Sequence, residues 1–217
     1  MNEAAEILSK AYPGRTSLLL LPVCGPEEGH RHNGEACTRP GKRPVAGKGW
    51  NATAVNRYRN GANPEAHIAA ISSHVVSGGN VGWAIPPGIA VLDADSFKAD
   101  DWLNRYLPNG HPYQKTAKGG HHVLRIPATV CGLRAKTGVE IGDGVKADLR
   151  MGERSQVVVA PSVHVSGASY EWIHPLPADL EQIPEIPAEL AQRIVRELAK
   201  PRAAPAASVV WRASQFA

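Results

Sequence analysis

The chain has 217 residues, a net charge of +4, 43% hydrophobic and 20% charged residues, figures that fit one soluble globular domain with a real core. Its longest apolar run, Ser17 to Val23, is far too short to span a bilayer, and three scattered cysteines without a secretory leader exclude a disulfide framework and point to a reducing, cytoplasmic setting. The basic balance suits an anionic partner such as a nucleic acid or nucleotide as readily as it suits a plain basic surface.

In chain order, a helix is predicted near residues 2–11, ending at Pro13-Gly14, then a strand at 17–23. Residues 24–49 lack periodicity and read as a long loop, which inside a domain is usually either functional or disordered. Asn63-Pro64 opens a helix over 63–76. Strands at 81–85 and 89–95, joined by Pro86-Pro87-Gly88, read as a hairpin. A helix over 99–107 precedes strands near 113–117, 121–126, 137–141, 145–151, 155–160 and 169–173, and Pro187 starts a helix over 187–200. Residues 1–200 thus form one domain of the α+β class with largely antiparallel strands. The Ala/Pro-rich stretch 201–217 reads as a linker toward a further C-terminal module.

The strand at 89–95 ends in Asp93 and Asp95, and alternation points both carboxylates to one face, their alpha carbons about 7 Å apart. Such a pair suits a divalent cation, which supplies the positive charge two neighbouring acids need, but it also suits a strand end opening into solvent. In Val145 to Gly152, Lys146, Asp148 and Arg150 share a face. They read either as a third carboxylate at a metal centre that receives a polyphosphate or as a surface ion network. In Thr116 to Pro127, Gly119-Gly120 allows close backbone approach beside Lys118, which can meet phosphate oxygens, as can a neighbouring histidine. Alternation does not decide between His121 and His122. The run Val157 to Ala160 delivers Ser162 and His164, either as sugar or phosphate contacts or as a capped turn.

These stretches, together with Pro40 to Ala54, resemble in order and spacing the bifunctional primase–polymerase domain of the archaeo-eukaryotic primase superfamily, in particular the N-terminal module of phage and plasmid helicase-primases. The resemblance covers most of residues 17–173. It implies an RRM-like antiparallel sheet unit packed with a second αβ unit, and an active site in the cleft between them. It implies that Asp93, Asp95 and Asp148 hold catalytic Mg²⁺ or Mn²⁺, and it selects His122 for the incoming triphosphate. Lys118 stands where many members carry serine, and Gly120 fills the small-residue position. Lys42 and Arg150 match basic positions, while Asn80 and Ser162 match positions that serve either structure or chemistry. The implied activity is template-directed nucleotidyl transfer for primer synthesis and extension. The implied partners are a single-stranded DNA template, nucleoside triphosphates and a fused or associated replicative helicase. Two alternatives stand beside it: a metal-dependent glycosyltransferase, which leaves the Lys118–His122 and Lys146–Arg150 stretches unexplained, and a non-catalytic single-stranded-DNA-binding module. A metal-dependent nuclease uses the same carboxylates.

The loop from Cys24 to Lys42 places Cys24, His30, His32 and Cys37 in a short span. All four are zinc ligand types, at a spacing unlike a standard finger. The residues read either as a structural zinc site or as a loop with free thiols.

Overall fold

The computed structural model describes residues 3–27, 30–32, 35–45, 49–152 and 155–200; the expected linker at 201–217 and the His32 side chain lie outside the described residues. Helix α1 (Glu3–Ala11) has acids in its first turn and Lys10 in its last, matching the helix dipole, and buries Ala5 and Leu8. Strand β1 is only Leu20–Val23, because Gly14–Leu19 forms a 3₁₀ helix where the sequence suggested extended chain. The hydroxyl of Thr16 donates to Pro13 O at 2.6 Å and that of Ser17 to Gly14 O at 2.8 Å, side-chain bonds that favour the tight turn over a ladder.

Within the long loop, β2 (Arg31–His32) and β3 (Glu35–Ala36) form a two-stranded hairpin. Helix α2 (Trp50–Asn60), absent from the sequence reading, runs between Gly49 and Gly61, both left-handed. Its Asn-, Thr- and Val-containing sequence has low helix propensity and no apolar stripe, burying only Asn51, Ala54 and Val55. Arg57 fastens it through an Nη2 donor 2.8 Å from Leu20 O. Helix α3 (Pro64–Val76) starts where expected, with Asn63 Oδ1 accepting from the backbone of Glu65 and Ala66.

Strands β4 (Asn80–Ala84) and β5 (Ile89–Ala94) are not a hairpin. Both are almost wholly buried, so each needs ladder partners on both edges, and the Pro86-Pro87-Gly88 connector carries the chain from one sheet to the other. After α4 (Phe97–Tyr106, capped by Ser96) come β6 (Tyr113–Lys115), β7 (Gly120–Arg125), β8 (Lys136–Gly142), β9 (Val145–Met151), β10 (Gln156–Val159), β11 (Glu171–His174) and α5 (Ala188–Ala199). A three-stranded sheet has the order β1-β4-β10 and a six-stranded sheet the order β11-β6-β7-β5-β9-β8, every named pair antiparallel. This is the expected α+β class. Among the described residues no helix is long and apolar enough to cross a membrane.

Alternation along β5 divides the interior. Ile89 and Val91 join Val123, Trp83, Val157 and residues of α1 and α3 in one core between the sheets. Ala90, Leu92 and Ala94 join Leu124 and Leu149 in a second core under α4 and α5. Helix α5 contributes Leu190, Ala191, Ile194 and Leu198 to that second core. Ile194 is fully buried, so Ile194→Ala is expected to lower unfolding free energy by about 2–5 kcal/mol, measured by urea denaturation.

Candidate active site

Strand β5 runs between β7 and β9 in a fixed register that sets Asp93 opposite His121 on one side and Asp148 on the other. Cross-strand partners point to the same face, so all three side chains emerge at the end of the inter-sheet core. Asp95 follows just past the strand, exposed. The carboxylates of Asp93, Asp95 and Asp148 offer oxygens that all lie within 4.8 Å of one another. Arg150 clamps the pair in the strands, with Nη2 2.6 Å from Asp148 Oδ2 and Nε 3.4 Å from Asp93 Oδ2. Asp148 Oδ1 also accepts from the Gly138 backbone at 2.7 Å.

Asp93 and Asp95 open onto a cleft of about 420 Å³ between the two sheet units, with Asp148 buried behind them. The six-stranded side supplies Asp93, Asp95, His121, Arg150 and the turn bearing Lys118, while the three-stranded side supplies Gln156, Val157 and Val158. The loop after the β2–β3 hairpin adds Arg39, Lys42 and Arg43. Apart from the acids, the charged lining is cationic. Gly119 is required at the turn, since a side chain there would meet Ala94 O at 2.1 Å, at the end of the strand carrying Asp93.

The field of the acids is visible in their own ionisation. Burial pushes Asp93 upward, but His121, Arg150 and Lys42 outweigh it and hold the carboxyl below its ordinary range. Asp95 lies on the other side of the balance: partial burial together with Asp93 and Asp148 raises it. Burial, then Asp93 and Asp95, push the Tyr170 hydroxyl up to about 12. The all-oxygen donor set of Asp93, Asp95 and Asp148 fits a hard divalent cation such as Mg²⁺ or Mn²⁺.

The expected residues divide by face. His122 does not reach the cleft: it is fully buried on the opposite face of β7, with Nδ1 2.8 Å from His111 Nε2 and Nε2 3.0 Å from Asp100 Oδ1. Asp100 in turn accepts from Tyr113 Oη at 2.8 Å, so this network is satisfied within the fold. Burial holds both His122 and His111 below the usual histidine range, His111 down to about 4. It is His121 that stands in the cleft, Nε2 3.4 Å from Asp93 Oδ1. Gln114 Nε2 lies 2.9 Å from His121 Nδ1 and 3.0 Å from Val158 O, while Gln114 Oε1 accepts from Ala160 N. The amide thus bridges the two sheets and leaves the His121 proton on Nε2, facing Asp93.

Gly120 is likewise turned away, packed so closely that a side chain would meet Asp100 Oδ1 and Tyr113 Cε2, each at 2.4 Å. Ser162 is buried with its hydroxyl between Val81 N (2.8 Å) and Val81 O (3.1 Å), a backbone clamp rather than a ligand-facing group. Asn80 Nδ2 donates to Gly41 O at 3.1 Å and Val163 O at 2.8 Å, tying together the loops that carry Lys42 and His164. Lys42, Lys118 and His164 do line the cleft. Partial burial, then Lys42 and Lys118, hold His164 below its usual range. Lys146 is exposed and is not part of the lining. Sequence reasoning missed Arg39, Arg43, Trp50, Gln156 and Tyr170, none of which stands in a recognisable spacing with the acids. In the other loop, Cys24, His30 and Cys37 come together, whereas the His32 side chain lies outside the described residues.

Fold and site together define an α+β protein with a carboxylate triad in a cation-rimmed inter-sheet cleft. Residues 11–189 match the family of bifunctional DNA primase/polymerase N-terminal domains, and the chain belongs to that family. A search of curated proteins gave no match.

A group whose folded pKa is raised favours folding below its unfolded pKa and loses that contribution as pH rises through the folded value. Asp95, raised by burial and its two acidic neighbours, therefore costs stability at neutral pH. Asp95→Asn is expected to raise the Tm at neutral pH, with the gain fading as pH falls into the acid range. Added Mn²⁺ should raise the Tm of the unsubstituted protein more than that of the variant, reversing part of the difference. Thermal melts across pH, with and without Mn²⁺, measure both effects.

Proposed function

We propose that this chain is a DNA-dependent primase and polymerase that synthesises and extends primers on a single-stranded template by two-metal nucleotidyl transfer. One observation carries the reading: carboxylate oxygens of Asp93, Asp95 and Asp148 lie within 4.8 Å of one another, beside a cleft whose other charged lining residues are cationic. In the reaction a primer 3′-oxygen bonds to the α-phosphorus of a nucleoside triphosphate, the α–β phosphoanhydride bond breaks, and pyrophosphate leaves with the electron pair.

Divalent cations on Asp93, Asp95 and Asp148 would supply Lewis-acid activation of the 3′-hydroxyl and neutralise charge on the leaving pyrophosphate. The chain's own residues position the rest. Arg150 holds Asp93 and Asp148 at fixed spacing and leaves part of its guanidinium exposed toward the cleft. Lys42 and Lys118, on facing loops, bind the triphosphate as point charges. His164, neutral at physiological pH, accepts from Ser166 N at Nδ1 and so presents Nε2–H as a hydrogen-bond donor to phosphate. His121 takes the role that resemblance assigned to His122, orienting Asp93 and meeting the phosphates from the sheet surface. Trp50, beside Arg39 and Arg43, offers an aromatic face for a template base among cations that track its backbone. Phage or plasmid replication and a helicase partner belong to the same reading and rest on the family resemblance.

The test combines a single-stranded DNA template with labelled ribo- or deoxyribonucleoside triphosphates and Mg²⁺ or Mn²⁺, with and without a primer. Products formed without a primer are expected, as is extension of an annealed one. Asp93→Ala/Asp95→Ala should abolish both while retaining the folded circular-dichroism spectrum. Polymerisation by that double variant would overturn the reading, and template binding without synthesis under any condition would favour the non-catalytic module. His121→Ala is expected to lower the incorporation rate by about tenfold or more, beyond what its loss of the Gln114 and Asp93 contacts costs in stability, read by comparing rates at a temperature where the variant is fully folded. His122→Ala should instead destabilise the fold by about 1–3 kcal/mol, because His111 and Asp100 lose a buried partner.

A further inference from the structure

The loop that carries Arg39, Lys42 and Arg43 into the cleft has little apolar material to order it beyond Cys37, which packs against the small cluster that holds Cys24, Leu21 and Val23. Its hairpin pairs only Arg31 with Ala36 and His32 with Glu35, and β3 is exposed. A hairpin of that size is not stable by itself in water. The next rung brings Cys37 N to His30 O at 2.9 Å, which sets His30 and Cys37 side by side at the open end. Cys24, at the end of β1, meets them there: ligand atoms of Cys24, His30 and Cys37 all lie within 4.8 Å of one another.

The sulfur spacing discriminates among chemistries. Cys24 Sγ and Cys37 Sγ are 3.9 Å apart. A disulfide requires about 2.05 Å. Two thiolates on a tetrahedral zinc, each about 2.3 Å from the ion, stand about 3.8 Å apart. The imidazole is also prepared. His30 Nδ1 lies 2.7 Å from Glu27 O, a backbone contact of the kind that orients a metal-bound imidazole.

We propose that Cys24, His30 and Cys37 supply three of the four tetrahedral ligands of a zinc ion, with water in the fourth position, and that this ion clips the β2–β3 hairpin to the end of β1 and so fixes the cationic loop at the cleft. The clip is continuous with that loop: Cys24 N donates to Arg43 O at 2.9 Å and Gly41 N to Gly25 O at 2.8 Å. Residues 24 and 25 and residues 41 to 43 therefore run as one braced unit beside Asn80, whose amide holds Gly41 O. Zinc binding replaces the thiol protons and adds the closure that the short hairpin lacks. The site is separate from the carboxylates, whose all-oxygen set favours harder ions.

The full chain, purified under reducing conditions and dialysed exhaustively without chelator, is expected to hold about one zinc per chain by elemental analysis. Cobalt substitution should give thiolate-to-metal charge transfer in the near ultraviolet. Cys37→Ser and His30→Ala, at partly exposed positions, should each lower the zinc content and weaken that band, whereas Asp93→Asn should leave both unchanged. Stripping the zinc should speed trypsin cleavage after Arg31 and Lys42 by about tenfold or more, with re-added zinc restoring protection. A zinc-free protein overturns the proposal. So does zinc retained by a Cys24→Ser/Cys37→Ser variant, or zinc lost in Asp93→Asn. None of these readouts depends on polymerase activity, so failure here and failure of the functional reading are separable.

Discussion

The register of β5 between β7 and β9 is the constraint on which the rest depends. Strand geometry has a period of two, so a slip of one residue along either ladder would move Asp93 into the helix-covered core and bring Leu92 into the cleft. The observed pairing avoids this by burying both faces: Val91 and Val123 on one side, Leu92, Leu124 and Leu149 on the other. The hydrophobic pattern thus fixes where the acids emerge. Asp93, His121 and Asp148 form one rung across three strands because their apolar neighbours lock that rung in place.

Set against that precision is an electrostatic cost the fold does not remove. Arg150 satisfies Asp148 closely and Asp93 at longer range, and His121 and Lys42 add to the field at Asp93. At Asp95 burial, then Asp93 and Asp148, outweigh Lys42 and Arg150, so its pKa is raised. A protein selected only for stability would place a neutral residue there. Three carboxylates whose oxygens lie within 4.8 Å of one another form a donor set that a multivalent cation fits, and Arg39, Lys42, Arg43 and Lys118 make the rest of the charged lining cationic. Stability and function are therefore opposed at Asp95 and aligned at Asp93.

Much of this was legible before the structure, and the misses have identifiable causes. The helices at 64–76 and 188–199 announce themselves through Asn63-Pro64 and through apolar periodicity after Pro187. The shared face of Asp93 and Asp95 follows from alternation alone. Helix α2 was hidden because tertiary bonds such as Arg57 to Leu20 O hold a sequence with weak intrinsic preference. The supposed β4–β5 hairpin failed for a different reason: two buried strands joined by a short connector look the same whether they pair with each other or with strands far away. His121 and His122 are the sharpest case. Adjacent residues on a strand occupy opposite faces, so choosing between them requires the cross-strand register, which lies in residues far along the chain.

The same long-range dependence explains why the basic residues of the cleft were harder to find than the acids. Asp93 and Asp148 sit on strands whose orientation the core dictates, whereas Arg39, Lys42 and Arg43 sit on a loop with no core of its own. That loop is positioned by individual polar bonds, among them the Asn80 amide at Gly41 O and the Gln156 amide, which donates to Lys42 O at 3.1 Å. Each such bond contributes about 1 kcal/mol, so a handful of them leaves the loop close to local unfolding. A strand-borne anionic centre and a loop-borne cationic rim thus differ in how they are held, the first by the packed core and the second by individual polar bonds. Closure by a metal at Cys24, His30 and Cys37 would add to those bonds, holding the root of the loop.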